Sequence, residues 1–308
     1  MAQLTVSDVL ARVQIGKSLG KAELSGIDLS KACLDQSNFS AAYLRQARLR
    51  HASCKGANLS QATLVLADLS GSCLADSQLT HAIFTQACLE SVNLQRAQAV
   101  DTHFYGAQLD HLDASDACLE RADLRATSGP QARFKRANLV EAHCDGANFS
   151  QSSFAQAQLS RSQWPQATLS GVSFAAADLD QADFPDAILV GANLSEAHAV
   201  SANFQQADLT AAILQRTELD WADFWNAILV QADLRNASLY GATLEFANLS
   251  GANLSGADLR NANLENAQLD GVNLEGCCVT GALLTDATGL SLAQRQWLHQ
   301  HGALNVAR

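Results

Sequence analysis

Between Leu24 and Leu284 the chain places a large apolar residue at almost every fifth position; 35 of these 53 positions are Leu and 10 are Phe. Two residues before each stands a second series, 22, 27, 32 and onward to 282, in which 39 of 53 are Ala. The stretch GANLSGADLRNANLENAQLDG (251–271) displays the unit plainly, and the frame does not slip between the two ends. A period of five fits neither regular element. In an α-helix five residues turn about 500°, so successive leucines would smear around the cylinder. In a strand an odd spacing would send them to alternate faces. The pattern becomes coherent if the backbone turns a corner in every unit, so that each Leu and its Ala face one shared axis. That predicts a solenoid with a ladder of leucines inside and two or three outward residues per unit. Coils must then stack near the ~4.8 Å spacing of paired strands, which demands a small residue beside each Leu.

At both ends the period changes. VSDVLARVQIG (6–16) predicts a short helix with Ser7 as N-cap, Val9, Leu10 and Val13 as its apolar face and Gly16 as its stop. SLAQRQWLHQHG (291–302) predicts a second helix, opened by a capping box of Ser291 and Gln294 and closed at Gly302, with Leu292, Trp297 and Leu298 able to cover the last coil. The domain organisation expected is a capping helix over 1–20, repeats over 21–286, and a capping helix and tail over 287–308. The register weakens around 99–131, where Ala99, Ala114 and Gly129 replace core leucines, Leu112 fills an Ala slot and Pro130 follows. A bulged or widened coil is expected there.

The repeat resembles that of the pentapeptide-repeat proteins, whose motif is A-(D/N)-L-x-x. The resemblance runs from Leu24 to Leu284 and implies an all-β fold, a right-handed quadrilateral β-helix with four pentads per coil. Fifty-three pentads would give about 13 coils, or a rod near 60–65 Å long.

Net charge is −11, which argues against nucleic-acid binding through phosphate neutralisation. No run approaches the roughly 18 apolar residues of a membrane span, and the start lacks a signal-peptide layout, so a cytoplasmic protein is expected. Eight cysteines show no C-x-x-C pair and read as reduced small fillers. ARVQIGKS (11–18) formally fits a relaxed phosphate-loop pattern, but that mechanism needs a strand before the loop and a helix after it. His103, Asp123 and His143 fall into one outward column at 20-residue spacing; with histidines two coils apart they do not converge on one metal ion. No nucleophile–base pair and no paired carboxylates in a cleft stand out, so no enzyme activity, cofactor or metal is expected.

Assigning outward residues to four faces makes charge uneven. The face with core positions 24, 44 … 284 nets −7, the preceding one −5, and the other two −3 and zero, while the ends contribute +4. Candidate acidic-face residues are Asp123, Asp145, Asp183, Asp186, Glu218, Asp220, Asp223 and Glu245. Within ELDWADFWNA (218–227), Leu219 and Phe224 are core positions but Trp221 and Trp225 point outward. They are expected beside the single corner that joins the two acidic faces, with Tyr240 and Phe246 in the same area. Four exposed aromatics rimmed by acids have the make-up of a binding hot spot; the alternative is that the rings lie flat over small neighbours such as Ser201 and Gly241. A second outward group, Ile188, Val190, Ile228 and Val230, is interrupted by Asp208 and Thr210 and reads as β-propensity. Two functions remain open. The family resemblance implies a protein-binding solenoid, in its best-known form a mimic of duplex DNA that engages DNA gyrase, with a homodimer through the C-terminal cap and Trp297 as contact. The alternative is a rigid scaffold or adaptor, for example in a bacterial secretion system.

Overall fold

The protein is described here by a computed structural model covering residues 4–307. The chain forms two compact units, Met1–Gln158 and Leu159–Arg308.

In both units one pentad is one β-turn plus one bridging residue. The amide of each small inward residue donates to the carbonyl of the core residue three positions earlier, as in Ala62 to Leu59 (2.9 Å) and Ala222 to Leu219 (3.0 Å). The third turn residue is left-handed, φ being 60° at Gln61 and 62° at Trp221. That combination is a type II turn, whose third position normally favours Gly or Asn. Here Gln, Arg, Asp and even Trp adopt it. Most left-handed turn residues gain a compensating bond, because the amide donates to the next coil: Gln61 to the Thr80 carbonyl (2.9 Å), Trp221 to that of Tyr240 (2.9 Å).

The bridges fix the coil. In the first unit parallel bridges run from Glu23–Tyr43 to Asn138–Gln158, and in the second from Gln163–Asp183 to Gln268–Thr288, always joining residues twenty apart. Twenty residues are four pentads, so every coil has four sides and four corners. Core leucines are buried in both units, and their alanines from Ala42 onward. Phenylalanines twenty apart stack face to face: Phe84 on Phe104 (5.2 Å between centroids), and Phe184 on Phe204 on Phe224 (5.2 and 5.0 Å).

The A-(D/N)-L pattern also has a turn-forming reason. The Asp or Asn side chain before each core residue accepts the amide two residues on, as Asn58 does from Ser60 (3.0 Å) and Asp223 from Trp225 (2.9 Å). This local bond is what short oxygen-bearing side chains supply in turns.

Three expectations are corrected. The ladder runs through 99–131 without a bulge, from Gln98–Cys118 to Asp113–Arg133. Two of the small core residues there are matched by rings one coil on: a Cβ on Gly129 would stand 2.7 Å from the Phe149 ring, and Ala114 precedes Phe134 by the same twenty residues. Helix α1 (Val6–Gln14) is capped by Thr5, not Ser7, because Thr5 and Asp8 make a reciprocal capping box whereas Ser7 has Leu10 at the answering position. Helix α2 (Leu292–Gln300) opens with the Ser291–Gln294 box, but Leu292 is 68% exposed; Leu290 and Leu298 are the buried residues. Gly16–Ser18 follows helix α1 instead of preceding a helix, the reverse of a phosphate loop.

Candidate protein-binding surface

The two units differ in charge far more than in fold. Residues 1–158 carry 14 Lys and Arg against 15 Asp and Glu, leaving −1; residues 159–308 carry six against 16, leaving −10. No lysine follows Lys135.

In the first unit the acids are largely neutralised by neighbours. Arginine–aspartate pairs link consecutive coils at Arg96–Asp76 (2.7 Å), Arg121–Asp101 (2.9 Å) and Arg136–Asp116 (2.7 Å). Asp123 is gripped by Arg125 through Nε and Nη2, at 2.8 and 2.9 Å. Partial burial raises its carboxyl, yet the Arg125 hydrogen bonds outweigh this and hold it below the usual range. His103 stands 3.9 Å from Asp123, and His143 bridges to it from the next coil. Asp123 is thus committed to Arg125, and no cluster of three metal-ligating side chains exists among the described residues. Asp123 and Asp145 both belong to this first unit, apart from the other candidate acids.

In the second unit one side is different. Its core residues are Trp164, Phe184, Phe204, Phe224, Leu244, Leu264 and Leu284, and the first four rings form one continuous stack. Outward it carries Asp183, Asp186, Asp223, Glu245, Glu265 and Asp286 with no Lys or Arg. Polar partners there are neutral: Asn203 donates to Asp183 (2.6 Å), Gln206 to Asp186 (3.0 Å) and Gln205 to Asp223 (2.6 Å). Amides orient the carboxylates without cancelling their charge.

The outward aromatics sit at two corners, which corrects the expectation of one. Trp221 lies in the turn at 220–221 and Trp225 in the turn at 225–226, so they bracket the acidic side instead of sharing an edge. The cause is the turn itself: five residues include a full corner, so outward residues four apart straddle one side. Tyr240 joins Trp221 (5.3 Å, edge to face) and Phe246 joins Trp225 (6.4 Å, edge to face). Trp221 is 59% exposed, Phe246 45% and Trp225 38%. The Trp221 ring also covers Gly241, where a Cβ would stand 2.5 Å from it. Covering and display therefore coexist. Tyr240 carries the Arg260 guanidinium 5.6 Å from its centroid and accepts a bond from Asn261 (3.1 Å).

Glu218 and Asp220 lie on the adjoining side. Glu218 pairs with His198 (2.8 Å), and that bond raises the imidazole pKa against a smaller desolvation effect. Asp220 accepts bonds from the Ser238 hydroxyl and the Tyr240 amide. Ile188 and Ile228 are exposed but separated by Asp208, which binds Thr210. Trp297 is half-buried, stacks on His301 (4.4 Å) and lines a depression of about 460 Å³ with Val272 and Leu274. All eight cysteines are free; burial pushes Cys54 up to about 12 and Cys277 up to about 11.

Fold and surface together define, in each unit, a four-sided repeat that presents its outward residues on sides and corners. The family model "Pentapeptide repeats (8 copies)" matches in overlapping segments, among them 22–53, 47–86, 87–125, 131–162, 187–226 and 247–286, and the chain belongs to the pentapeptide-repeat family. Members of this family fold as right-handed β-helices. No curated protein matches the sequence. Among solved structures, HetL, a pentapeptide repeat protein involved in heterocyst differentiation regulation from Nostoc sp. strain PCC 7120, is 28% identical over 92% of this chain and 97% of its own, with a TM-score of 0.22. A pentapeptide repeat protein of the Arabidopsis thaliana thylakoid lumen is 33% identical over 33% of this chain and 74% of its own, TM-score 0.25. Full-length QnrB1, a plasmid-mediated fluoroquinolone resistance protein, is 21% identical over 63% of this chain and 94% of its own, TM-score 0.32. No helix among the described residues is long and apolar enough to cross a membrane.

Proposed function

We propose that the protein is a non-catalytic binding module whose working surface is the acidic, aromatic-bracketed side of the second unit, and that its partner is a protein with a basic surface. The observation that carries this is the concentration of six carboxylates without one cation on that side, flanked by exposed Trp221 and Trp225. Carboxylates steer a basic partner and set orientation, while exposed rings supply the desolvated contact that holds it. The finer form of this reading, mimicry of duplex DNA toward a type II topoisomerase such as DNA gyrase, draws on the same carboxylates. It is weakened by the first unit's charge of −1.

Two measurements separate these levels. Gyrase supercoiling is assayed with rising protein, with and without a quinolone. Inhibition or drug protection at micromolar protein supports the topoisomerase reading, and unchanged supercoiling at saturation removes it. Affinity capture is then run with the wild type and with Asp183→Asn/Asp186→Asn/Asp223→Asn. A protein retained by the first, lost by the second and released by moderate salt supports basic-surface docking. Partners that bind both alike would refute it.

A further inference from the structure

Among the described residues the chain twice seats one of its own arginines against an outward aromatic ring, and both times it uses the same three positions. In the first unit the Arg125 guanidinium lies 5.9 Å from the Tyr105 centroid, and Asp123 holds its Nε and Nη2. In the second unit Arg260 lies 5.6 Å from the Tyr240 centroid, with Asp258 accepting from Nε (2.9 Å) and Nη2 (2.6 Å). The twenty-residue register explains the recurrence. The ring follows a core residue, the arginine stands at the same place one coil later, and the aspartate sits two residues before the arginine.

Trp225 occupies the ring position a third time. It follows core residue Phe224 and is 38% exposed. One coil later, where the other two sites have Arg, this one has Glu245, and where they have Asp it has Thr243. The internal cation is therefore replaced by a carboxylate. Phe246, the next residue, meets Trp225 edge to face and adds a second exposed wall. Glu265 continues the column another coil on. Tryptophan is the best aromatic partner for a cation, and a planar guanidinium can stack on a ring while pairing with a carboxylate. The Trp221–Tyr240 corner differs, because Arg260 already occupies Tyr240.

We propose that Trp225, Glu245 and Phe246 form a receptor for an arginine side chain of the partner, with its guanidinium lying on Trp225 and paired to Glu245. This site rests on the reading of the acidic side as the docking surface and names the chemistry that surface selects.

The test titrates the full chain with a short peptide alternating arginine and glycine, and with its lysine counterpart of equal charge. Binding is followed through the four tryptophan indole N–H resonances. The arginine peptide is expected to shift the Trp225 indole and leave that of Trp221 in place, and to bind at least about threefold tighter than the lysine peptide. Trp225→Ala is expected to erase that preference. Thr243→Asp/Glu245→Arg rebuilds the internal site and is expected to erase it too, whereas Glu275→Gln, with the same change in net charge on another side, retains it. Equal binding of both peptides, or a preference that survives Trp225→Ala, overturns the arginine receptor while leaving acidic docking intact. Binding of neither peptide overturns both.

Discussion

The first and second units are built on one turn and one ladder, yet one side of the second puts its carboxylates to a different use. In the first, Asp76, Asp101, Asp116 and Asp123 are each held by an arginine, three of them across neighbouring coils. In the second, Asp183, Asp186 and Asp223 are held by amide side chains that leave their charge in place. Since the backbone is common to both, outward positions are free to carry either a stabilising lattice or an unneutralised field. The difference teaches that in this fold local pairing, and not total charge, separates a structural side from a candidate binding side.

Breaking the core should matter most. Phe204 is the third ring of the second unit's stack, so Phe204→Ala should cost about 3–5 kcal/mol, read as a lowered midpoint in denaturant. Should the loss fall well below that, the stack is not the element backing the acidic side. Next in size is Gly241→Ala. Its positive φ of 66° and the overlying Trp221 ring together should cost about 1–2 kcal/mol and displace the indole, visible as a red shift or quenching of Trp221 emission. An unchanged emission spectrum would mean the ring is not resting there.

The contrast in charge sharpens with a matched pair. Asp116→Asn should lower thermal stability because it strands Arg136, whereas Asp186→Asn should leave it unchanged or raise it by relieving like-charge repulsion. If both variants lose stability equally, the distinction between the units fails. The smallest effect concerns pH. The hydrogen bond to Glu218 raises the folded-state pKa of His198, so its contribution is fully present below the unfolded value near 6.5 and fades as pH rises through the folded one. The pair is more than half exposed, so His198→Gln should remove no more than about 0.5 kcal/mol at pH 5.5 and less at pH 8.5. The lowered carboxyls of Asp116 and Asp123 act in the opposite sense, their contribution being lost as pH falls through their folded values.

Much of the fold could be read from Leu24 onward because a period of five admits few backbones. The core and its alanines followed from period alone. Thr5 was missed as a cap although its Asp8 partner stood at the right spacing. The expected bulge at 99–131 was wrong because a residue-by-residue reading of volume ignores the coil above: Gly129 makes room for Phe149, twenty residues away. For the site, the outward direction of Trp221 and Trp225 was legible, but their placement on two corners was not. Summing charge by face over the whole chain also hid the split between units, for which the absence of lysine after Lys135 was the available signal.

By itself the sequence determined the repeat, its inward ladder and its net charge, since these follow from periodicity and composition along one dimension. Only the tertiary structure decided which carboxylates have an arginine partner, which rings are already occupied by an arginine, and that Trp225 faces a glutamate where its counterparts face a cation. Those facts depend on neighbours twenty residues apart, brought within bonding distance only when one coil stacks on the next.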